Sequence, residues 1–395
     1  MTDPLGQSQV LPYLFGLVKK GHQITLLSFE KEQRYKQQKK QIESLLAEQN
    51  IDWKPLPYTA SPPIISSIKD FREMKKTAAT LYKNKGFDIT HCRGYLPAMC
   101  GNYLKKRFGV KLLFDMRGFW PDERVEGGIW NKSNPIFKIV YYYFKRQEKK
   151  LFKSADAVVS LTHAGKKIIE KWPYMQTIKT NISVIPCCAD FNHFAEEKIN
   201  ISERDQIKNE LGIQSKDFII SYLGSIGSWY MLPEMLDFFK VFLKIKSEAK
   251  LLFISHDNPE MIQREAKEKD IPTDKILIKG AQRDMVPTIL SLSNVSLFFI
   301  KPVYSKQASS PTKLAEILGM GIPVIANAGV GDLDDLFNHH FPGFLVNEFT
   351  NEEYYKAIDV FLNSDLDKVQ LRSTSLKYFS LEDGINKYNL IYNQL

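Results

Sequence analysis

Ser309-Ser310-Pro311-Thr312-Lys313-Leu314-Ala315-Glu316 sets three hydroxyls, a cation and a carboxylate within two helical turns, ahead of Gly319–Gly321. Serine followed by proline marks a helix start, with Ser310 at the cap and Pro311 at the first helical position. Free backbone N–H groups and the helix dipole make such an end an anion site suited to a diphosphate. Ser309, Ser310 and Thr312 add hydroxyl donors, and Lys313 adds a cation on the same turn. Glu316 lies one turn on, where a carboxylate can accept two hydrogen bonds from the vicinal hydroxyls of a ribose. The same residues also suit a capped structural helix that binds nothing.

A second run, Tyr222-Leu223-Gly224-Ser225-Ile226-Gly227-Ser228-Trp229-Tyr230, follows an apolar stretch. Gly224, Ser225 and Gly227 can bring backbone and hydroxyl donors close to phosphate. Arg283, Lys301 and Lys306 are further candidate cations. In the first half, Phe114-Asp115-Met116-Arg117-Gly118-Phe119-Trp120-Pro121-Asp122-Glu123-Arg124 follows a strand pattern and gathers cations, carboxylates and aromatic rings. Such a loop suits sugar and phosphate recognition, with Asp115 and Arg117 nearest the reacting centre and Glu123 beside them; an ion-paired structural loop is the plainer alternative. His91 and Arg93 end another strand on the same rim and are candidate acceptor contacts. His22 sits in a helix-to-strand turn and reads as structural, whereas His163 follows a strand.

The elements that would position these residues alternate short apolar runs with longer helical stretches, the signature of parallel α/β architecture. Strands are expected at 23–29, 88–92, 111–115, 157–162 and 183–186 in the first half. In the second they are expected at 218–223, 250–255, 276–279, 295–300, 323–326 and 343–346. Helices between them are expected at 8–20, 32–49, 64–85, 96–108, 135–152 and 164–171, then 232–246, 259–269, 285–292, 311–318 and 351–362. The expected organisation is a Rossmann-like domain over 1–190, a linker over 191–212, and a second Rossmann-like domain over 213–375. A final helix in 376–395 could pack back on the first domain. Two doubly wound domains facing across a cleft would place ligands at the carboxyl ends of both sheets. Met1–Gln7 reads as a turn leading straight into a helix, where a doubly wound domain opens with a strand. The expectation is that this first strand is missing, leaving its two neighbours without a shared ladder.

Bulk properties narrow the class. No apolar run approaches the ~20 residues of a membrane-spanning helix, and the start lacks the basic and apolar segments of a secretory signal. Four cysteines without zinc-like spacing suit a reducing, cytoplasmic setting. Residues 1–190 hold 32 Lys and Arg against 17 Asp and Glu, whereas residues 191–395 hold 22 against 28. A basic half points to an anionic partner, and no zinc-finger, RNP-like or basic-zipper pattern favours nucleic acid. A phosphate-bearing acceptor or an anionic membrane face fits that half better. Residues 134–153 mix aromatic and basic side chains; such a helix can lie in a membrane interface, and the same stripe can be core on one side and solvent on the other. Asp332-Leu333-Asp334-Asp335 follows a Gly-rich loop and reads as a helix start, not a metal signature.

The segment around Glu316 resembles the donor-site signature of the retaining, family-4-like glycosyltransferases of the GT-B architecture (glycosyl transferases group 1). Similarity runs along most of the chain: Gly21-His22-Gln23-Ile24-Thr25-Leu26-Leu27 matches the family's second strand. Ser154-Ala155-Asp156-Ala157-Val158-Val159-Ser160-Leu161-Thr162 matches the strand before the linker, and Val184-Ile185-Pro186 with Asp190 and Phe194 resembles the linker entry. The resemblance implies retaining transfer of a hexose-type residue from a nucleotide diphosphate sugar to an acceptor hydroxyl, in cell-surface polysaccharide or lipopolysaccharide assembly. It implies no cofactor and no metal, a glycan or lipid-linked acceptor, and a cytoplasmic site at the inner membrane face. Glu316 takes the place of the glutamate that holds the donor ribose, Gly6-Gln7-Ser8 that of the glycine loop near the acceptor, and the backbone near Lys279–Gly280 that of the base contact. Two positions depart from the pattern. Ala308 stands eight residues before Glu316 where a first glutamate is expected, and the Arg and Lys that follow the first strand of the second domain are missing. These departures leave two other readings open, a nucleotide-sugar epimerase or hydrolase and a non-catalytic nucleotide-sugar-binding subunit.

Overall fold

The computed structural model describes every residue except Pro63, Pro342 and Gly343. The chain divides into two compact units, Met1–Cys188 with Leu381–Leu395, and Ala189–Ser380. Both are α/β with parallel sheets, as expected of Rossmann-like domains.

Unit 1 carries strands β1 (Thr25–Glu30), β2 (Asp52–Pro57), β3 (Ile89–Arg93), β4 (Lys111–Asp115), β5 (Ala157–Ser160) and β6 (Ile182–Val184). Its helices are α1 (Pro4–Gln9), α2 (Leu11–Lys19), α3 (Glu32–Glu48), α4 (Ile65–Lys85), α5 (Tyr95–Phe108), α6 (Trp120–Glu126), α7 (Pro135–Ser154) and α8 (His163–Glu170). β3-β4-β5-β6 form one parallel sheet and β1-β2 a separate parallel pair. β5 and four of the five residues of β4 are buried, as strands covered on both faces must be. Strand β2 was not foreseen, because Pro55 and Pro57 argue against a ladder; pairing on one side only accommodates them. The expected turn at the start is instead helix α1, and residues 8–20 form parts of two helices that meet at Val10.

Unit 2 is a six-stranded parallel sheet in the order β12-β11-β10-β7-β8-β9. The strands are β7 (Phe218–Leu223), β8 (Ala249–Ile254), β9 (Ile276–Lys279), β10 (Val295–Phe298), β11 (Val324–Asn327) and β12 (Leu345–Val346). The expected strand at 343–346 begins on a residue outside the described ones, and its described part is β12. The helices are α9 (Ile201–Glu210), α10 (Leu232–Ile245), α11 (Pro259–Glu268), α12 (Val286–Leu290), α13 (Thr312–Gly319), α14 (Leu333–His339), α15 (Asn351–Leu362) and α16 (Lys368–Phe379). One core joins both faces of the sheet, with Phe238, Phe239 and Phe242 of α10 packed with Phe253, Phe298 and Phe299.

Two expected boundaries move. Residues 191–212 fold into unit 2, where α9 buries Ile207. Arg372 of α16 pins this segment by donating to the carbonyls of Phe191, Phe194 and Gly319, the last at the C-terminal end of α13, where a cation is favoured. The chain then leaves unit 2 at Ser380, inside the expected final region, and the helix Leu381–Gln394 belongs to unit 1. There Ile385, Tyr388 and Ile391 pack with Tyr13, Leu17 and Val159.

Candidate functional site

In unit 2 the chain leaves β7 through Gly224 (φ +95°) and Gly227 (φ +52°), left-handed values that suit glycine. Asp257, just past β8, ties this loop down: its carboxylate accepts from the Ser225 hydroxyl at 2.8 Å and from the Ile226 amide. The Tyr222 hydroxyl donates to the Ser225 carbonyl at 2.7 Å. Against the loop lies the first turn of α13. Its cap is Pro311, so the helix opens at Thr312, one residue later than the sequence pattern indicates, with Ser309 and Ser310 in the segment before it.

Lys313 is the unusual group. It is 7% exposed, and its Nζ has no hydrogen-bond partner. The ammonium lies 3.6 Å from the ring centre of Tyr230 and 3.9 Å from that of Tyr222. A methyl group built on Gly224 would stand 3.7 Å from Nζ, so the missing side chain leaves the ammonium facing loop backbone. Burial pushes its pKa well below the ordinary lysine value, although Glu316 and Asp257 pull the other way. A buried cation without an anion is costly, and native structures normally pair one.

Glu316, one turn on, is nearly buried; its Oε1 accepts from Arg283 Nη1 at 3.3 Å. Burial raises its carboxyl pKa, while Arg283 and Lys313 oppose the rise. Arg283 is itself placed by the linker-entry segment: its guanidinium lies 5.7 Å from the Phe194 ring centre and its carbonyl bonds His193 Nε2 at 3.0 Å. Lys306 is buried with its Nζ 3.8 Å from the Trp229 ring centre, and Lys301 is exposed. Ala308 is buried. The Lys279 side chain turns away from this group: its ammonium pairs with Glu210 of α9 at 2.6 Å. Only the Lys279 backbone is engaged on the sheet, its carbonyl accepting from the Ser255 amide.

Unit 1 gathers a second cluster at the carboxyl ends of β3 and β4, where Arg93 and Asp115 are register partners. Asp115 is fully buried. Its Oδ2 accepts from Arg93 Nη1 at 3.1 Å and the Tyr388 hydroxyl at 3.0 Å, with His91 Nε2 at 3.4 Å. Oδ1 lies 3.8 Å from Arg117 Nη1. Burial alone would raise the Asp115 pKa, but the Arg117 and Arg93 guanidiniums beside it hold it far below the usual carboxylate range. Arg117 takes a left-handed backbone (φ +58°), uncommon for a residue with a side chain, and reaches Cys187 Sγ at 3.3 Å. The Tyr392 hydroxyl meets His91 Nδ1 at 2.8 Å. Asp115 is therefore the anchor of the cluster, while His91, Arg93 and Arg117 keep partly exposed ends. Glu123 lies in the first turn of α6. Gly6 and Gln7, expected in a loop, lie within α1, where Gln7 bonds Gln38 at 2.6 Å.

Sequence reasoning thus placed Lys313, Glu316, Gly224, Ser225 and Gly227 together and Asp115, Arg117, His91 and Arg93 together. It missed Asp257, Tyr222, Tyr230, Tyr388 and Tyr392. Tyr222 and Tyr230 bracket the Gly224 run and could have been read as its walls; the other three carry no local signal.

Residues 203–377 match the family model described as Glycosyl transferases group 1, and residues 13–193 match Glycosyltransferase Family 4. No curated protein matches the chain by sequence. Among solved structures, a sucrose-phosphate synthase from Thermosynechococcus elongatus is 15% identical, with a TM-score of 0.68 over 94% of this chain and 99% of that one. A glycosyltransferase from Rickettsia africae is 18% identical, with a TM-score of 0.66 over 94% and 98%. Anabaena HepE, solved in complex with UDP and glucose, is 13% identical, with a TM-score of 0.69 over 98% and 96%. At these identities the likeness carries the fold.

Proposed function

We infer, from the match of residues 203–377 to the group 1 glycosyltransferase model and of residues 13–193 to the Family 4 model, that the chain moves a hexose-type sugar from a nucleotide diphosphate sugar to an acceptor hydroxyl with retention. The observation that carries this reading is the buried Lys313 ammonium without an anion, facing the Gly224 loop at the head of α13. A diphosphate bound there supplies the missing charge. Glu316, bonded to Arg283 through one oxygen, keeps the other for a ribose. UDP is the nucleotide to test first, because HepE is solved with it.

Transfer then rests on stabilising the departing diphosphate, with Lys313 and the loop amides set in advance around the charge that develops. Asp115 is buried and committed to Arg93, Arg117 and Tyr388, so its part is to hold those groups in place and not to attack. Arg93, Arg117 and His91 form the acceptor side, and no metal is required. An acceptor in cell-surface polysaccharide or lipopolysaccharide assembly, met at the cytoplasmic membrane face, fits the basic character of unit 1. The test is release of UDP from UDP-sugars by the full chain, with and without a lipid extract. Release that needs the extract supports transfer; release without it points to hydrolysis, and conversion to an epimeric UDP-sugar without release points to epimerisation. UDP binding without release leaves a binding subunit, and no UDP binding overturns the site.

A further inference from the structure

Two helices of unit 1 share a pattern that the site does not use. On α7 the first two turns expose Ile136, Ile139, Tyr142 and Tyr143, with Ile139 70% exposed. The turns behind them expose Arg146, Lys149, Lys150 and Lys153. The one acidic residue of this helix, Glu148, is buried and bonded to Lys145 and Tyr95, so the exposed charges on α7 are all positive. On α4, Ile65 (66% exposed) and Ile68 lead with Lys69 beside them, and Arg72, Lys75, Lys76 and Lys83 follow, with the exposed acid Glu73 among them. Those four cations, with Arg107 of α5, line a groove of about 460 Å³ between α4 and α5, and no Asp or Glu lines it.

The helices run side by side. Tyr82 near the end of α4 stacks on Phe108 at the end of α5, with ring centres 4.4 Å apart. Lys105 near the end of α5 donates to the carbonyl of Ser154, the last residue of α7, at 2.7 Å. α5 packs against both α4 and α7. It starts two residues after β3, so its N-terminal end is at the carboxyl rim of the sheet, where Arg93 and Asp115 sit. The front half of α7 lies near the carboxyl end of β4, where Tyr141 and Lys145 bond Asp122 of α6, and the front of α4 near the carboxyl end of β2, where Asp70 accepts from the Thr59 amide.

We propose that unit 1 docks on an anionic lipid surface through this face, with the leading turns of α4 and α7 entering the interface and their cations meeting lipid phosphates. Isolated exposed apolar residues are ordinary; two helices packed on α5 that each expose a pair of isoleucines among cations, Lys69 on α4 and Lys138 on α7 included, are not. Long basic side chains reach headgroups while apolar ones enter the acyl boundary. Unit 1 as a whole holds 33 Lys and Arg against 18 Asp and Glu, a net of +15 that an anionic surface complements. The proposal deepens the transfer reading by making lipid the place where the acceptor is met, and rests on that reading for the acceptor alone.

The test is cosedimentation of the full chain with vesicles of phosphatidylcholine and of phosphatidylcholine mixed with an equal part of phosphatidylglycerol. Each cation near such a surface contributes about fivefold in binding. The unaltered chain should prefer the anionic vesicles by more than about tenfold, and Lys149→Glu with Lys150→Glu should remove about twenty-five-fold or more. Ile136→Ser with Ile139→Ser should weaken binding at low and high salt alike, and Ile65→Ser with Ile68→Ser should do the same. UDP binding, measured on every variant, should stay unchanged and reports an intact fold. Equal sedimentation with both vesicles, or variants that bind as the parent does, would overturn the proposal. So would loss of self-association in the same variants, which would assign the face to a second copy of the chain. If the parent binds vesicles but not UDP, the docking face stands and the transfer reading falls.

Discussion

Replacing Lys313 by methionine should shift the two measurable properties of unit 2 in opposite senses. Methionine matches the length of the lysine stem but brings no charge into the space beside Tyr222 and Tyr230. Desolvating an ammonium costs several kcal/mol even after relaxation. The two rings, at 3.6 and 3.9 Å, return up to about 2 kcal/mol each. The free protein should therefore gain about 1 kcal/mol or stay level, read from urea unfolding with both units followed separately. UDP affinity should fall by about two orders of magnitude, the worth of a charged hydrogen bond to the diphosphate of about 3 kcal/mol, read by calorimetry. The pH dependence has a definite sign. Burial holds the Lys313 pKa below its unfolded value, so between the two values the unfolded chain binds more protons. Stability of the free protein therefore gains a rising contribution with pH across that window, and the gain is absent in the methionine variant. Bound diphosphate raises the pKa again, so UDP binding should take up protons in alkaline buffer and weaken as pH rises. A variant that binds UDP as tightly as the parent, or that loses several kcal/mol when free, would refute this reasoning.

Glu316→Gln should weaken UDP binding about tenfold to a hundredfold, and it should erase the parent's preference for UDP over 2′-deoxy-UDP, which a competition titration reads directly. Asp115→Asn strands Arg93, Arg117 and His91 without their anion, and unit 1 should lose about 3–5 kcal/mol in urea unfolding while UDP binding persists. The Asp115 pKa is depressed in the fold, so its contribution is complete above about pH 5 and is lost as pH falls through the folded value. The acid limb of the unfolding profile should be flatter in the asparagine variant. Gly224→Ala places a methyl group at a left-handed backbone position 3.7 Å from Lys313 Nζ; about 1–2 kcal/mol of stability and most UDP binding should go, measured by thermal shift with and without UDP.

The Lys313 cluster of unit 2 was readable because its residues lie close along the chain. Thr312, Lys313 and Glu316 share two turns of one helix, and Gly224 to Gly227 form one turn, so residue type and spacing carry the geometry. The Asp115 cluster of unit 1 was readable only as far as strand ends go. Arg93 and Asp115 end adjacent strands, but Tyr388, which completes the bonding of Asp115, lies 273 residues away on a helix whose partner no local pattern reveals. Asp257 shows the same limit, since its link to Ser225 spans 32 residues between two strand ends. Among helices, α9 and α16 escaped because each buries few residues: Ile207 alone on the first, and Leu371, Ser375 and Phe379 on the second. Little buried apolar surface means little periodicity to read. The Ala308 departure has a structural counterpart in a small buried side chain just before α13, in a segment whose Lys306 lies against Trp229.

The split sheet of unit 1 has a consequence for the order in which the unit comes apart. Among the described residues β1 and β2 pair only with each other, and α2 and α3 cover them through a small separate cluster of Leu11, Ile42, Leu46 and Ile51. β3 to β6 share a larger core with the C-terminal helix through Leu113, Val159 and Tyr388. A segment with its own short ladder and few buried side chains opens at lower free energy than the body it rests on. In hydrogen exchange, residues 25–57 should lose protection first, as one cooperative piece, while the amides around Asp115 exchange only on global unfolding of the unit. The Asp115 cluster thus sits on the slow-opening portion of unit 1, insulated from the breathing of its neighbour.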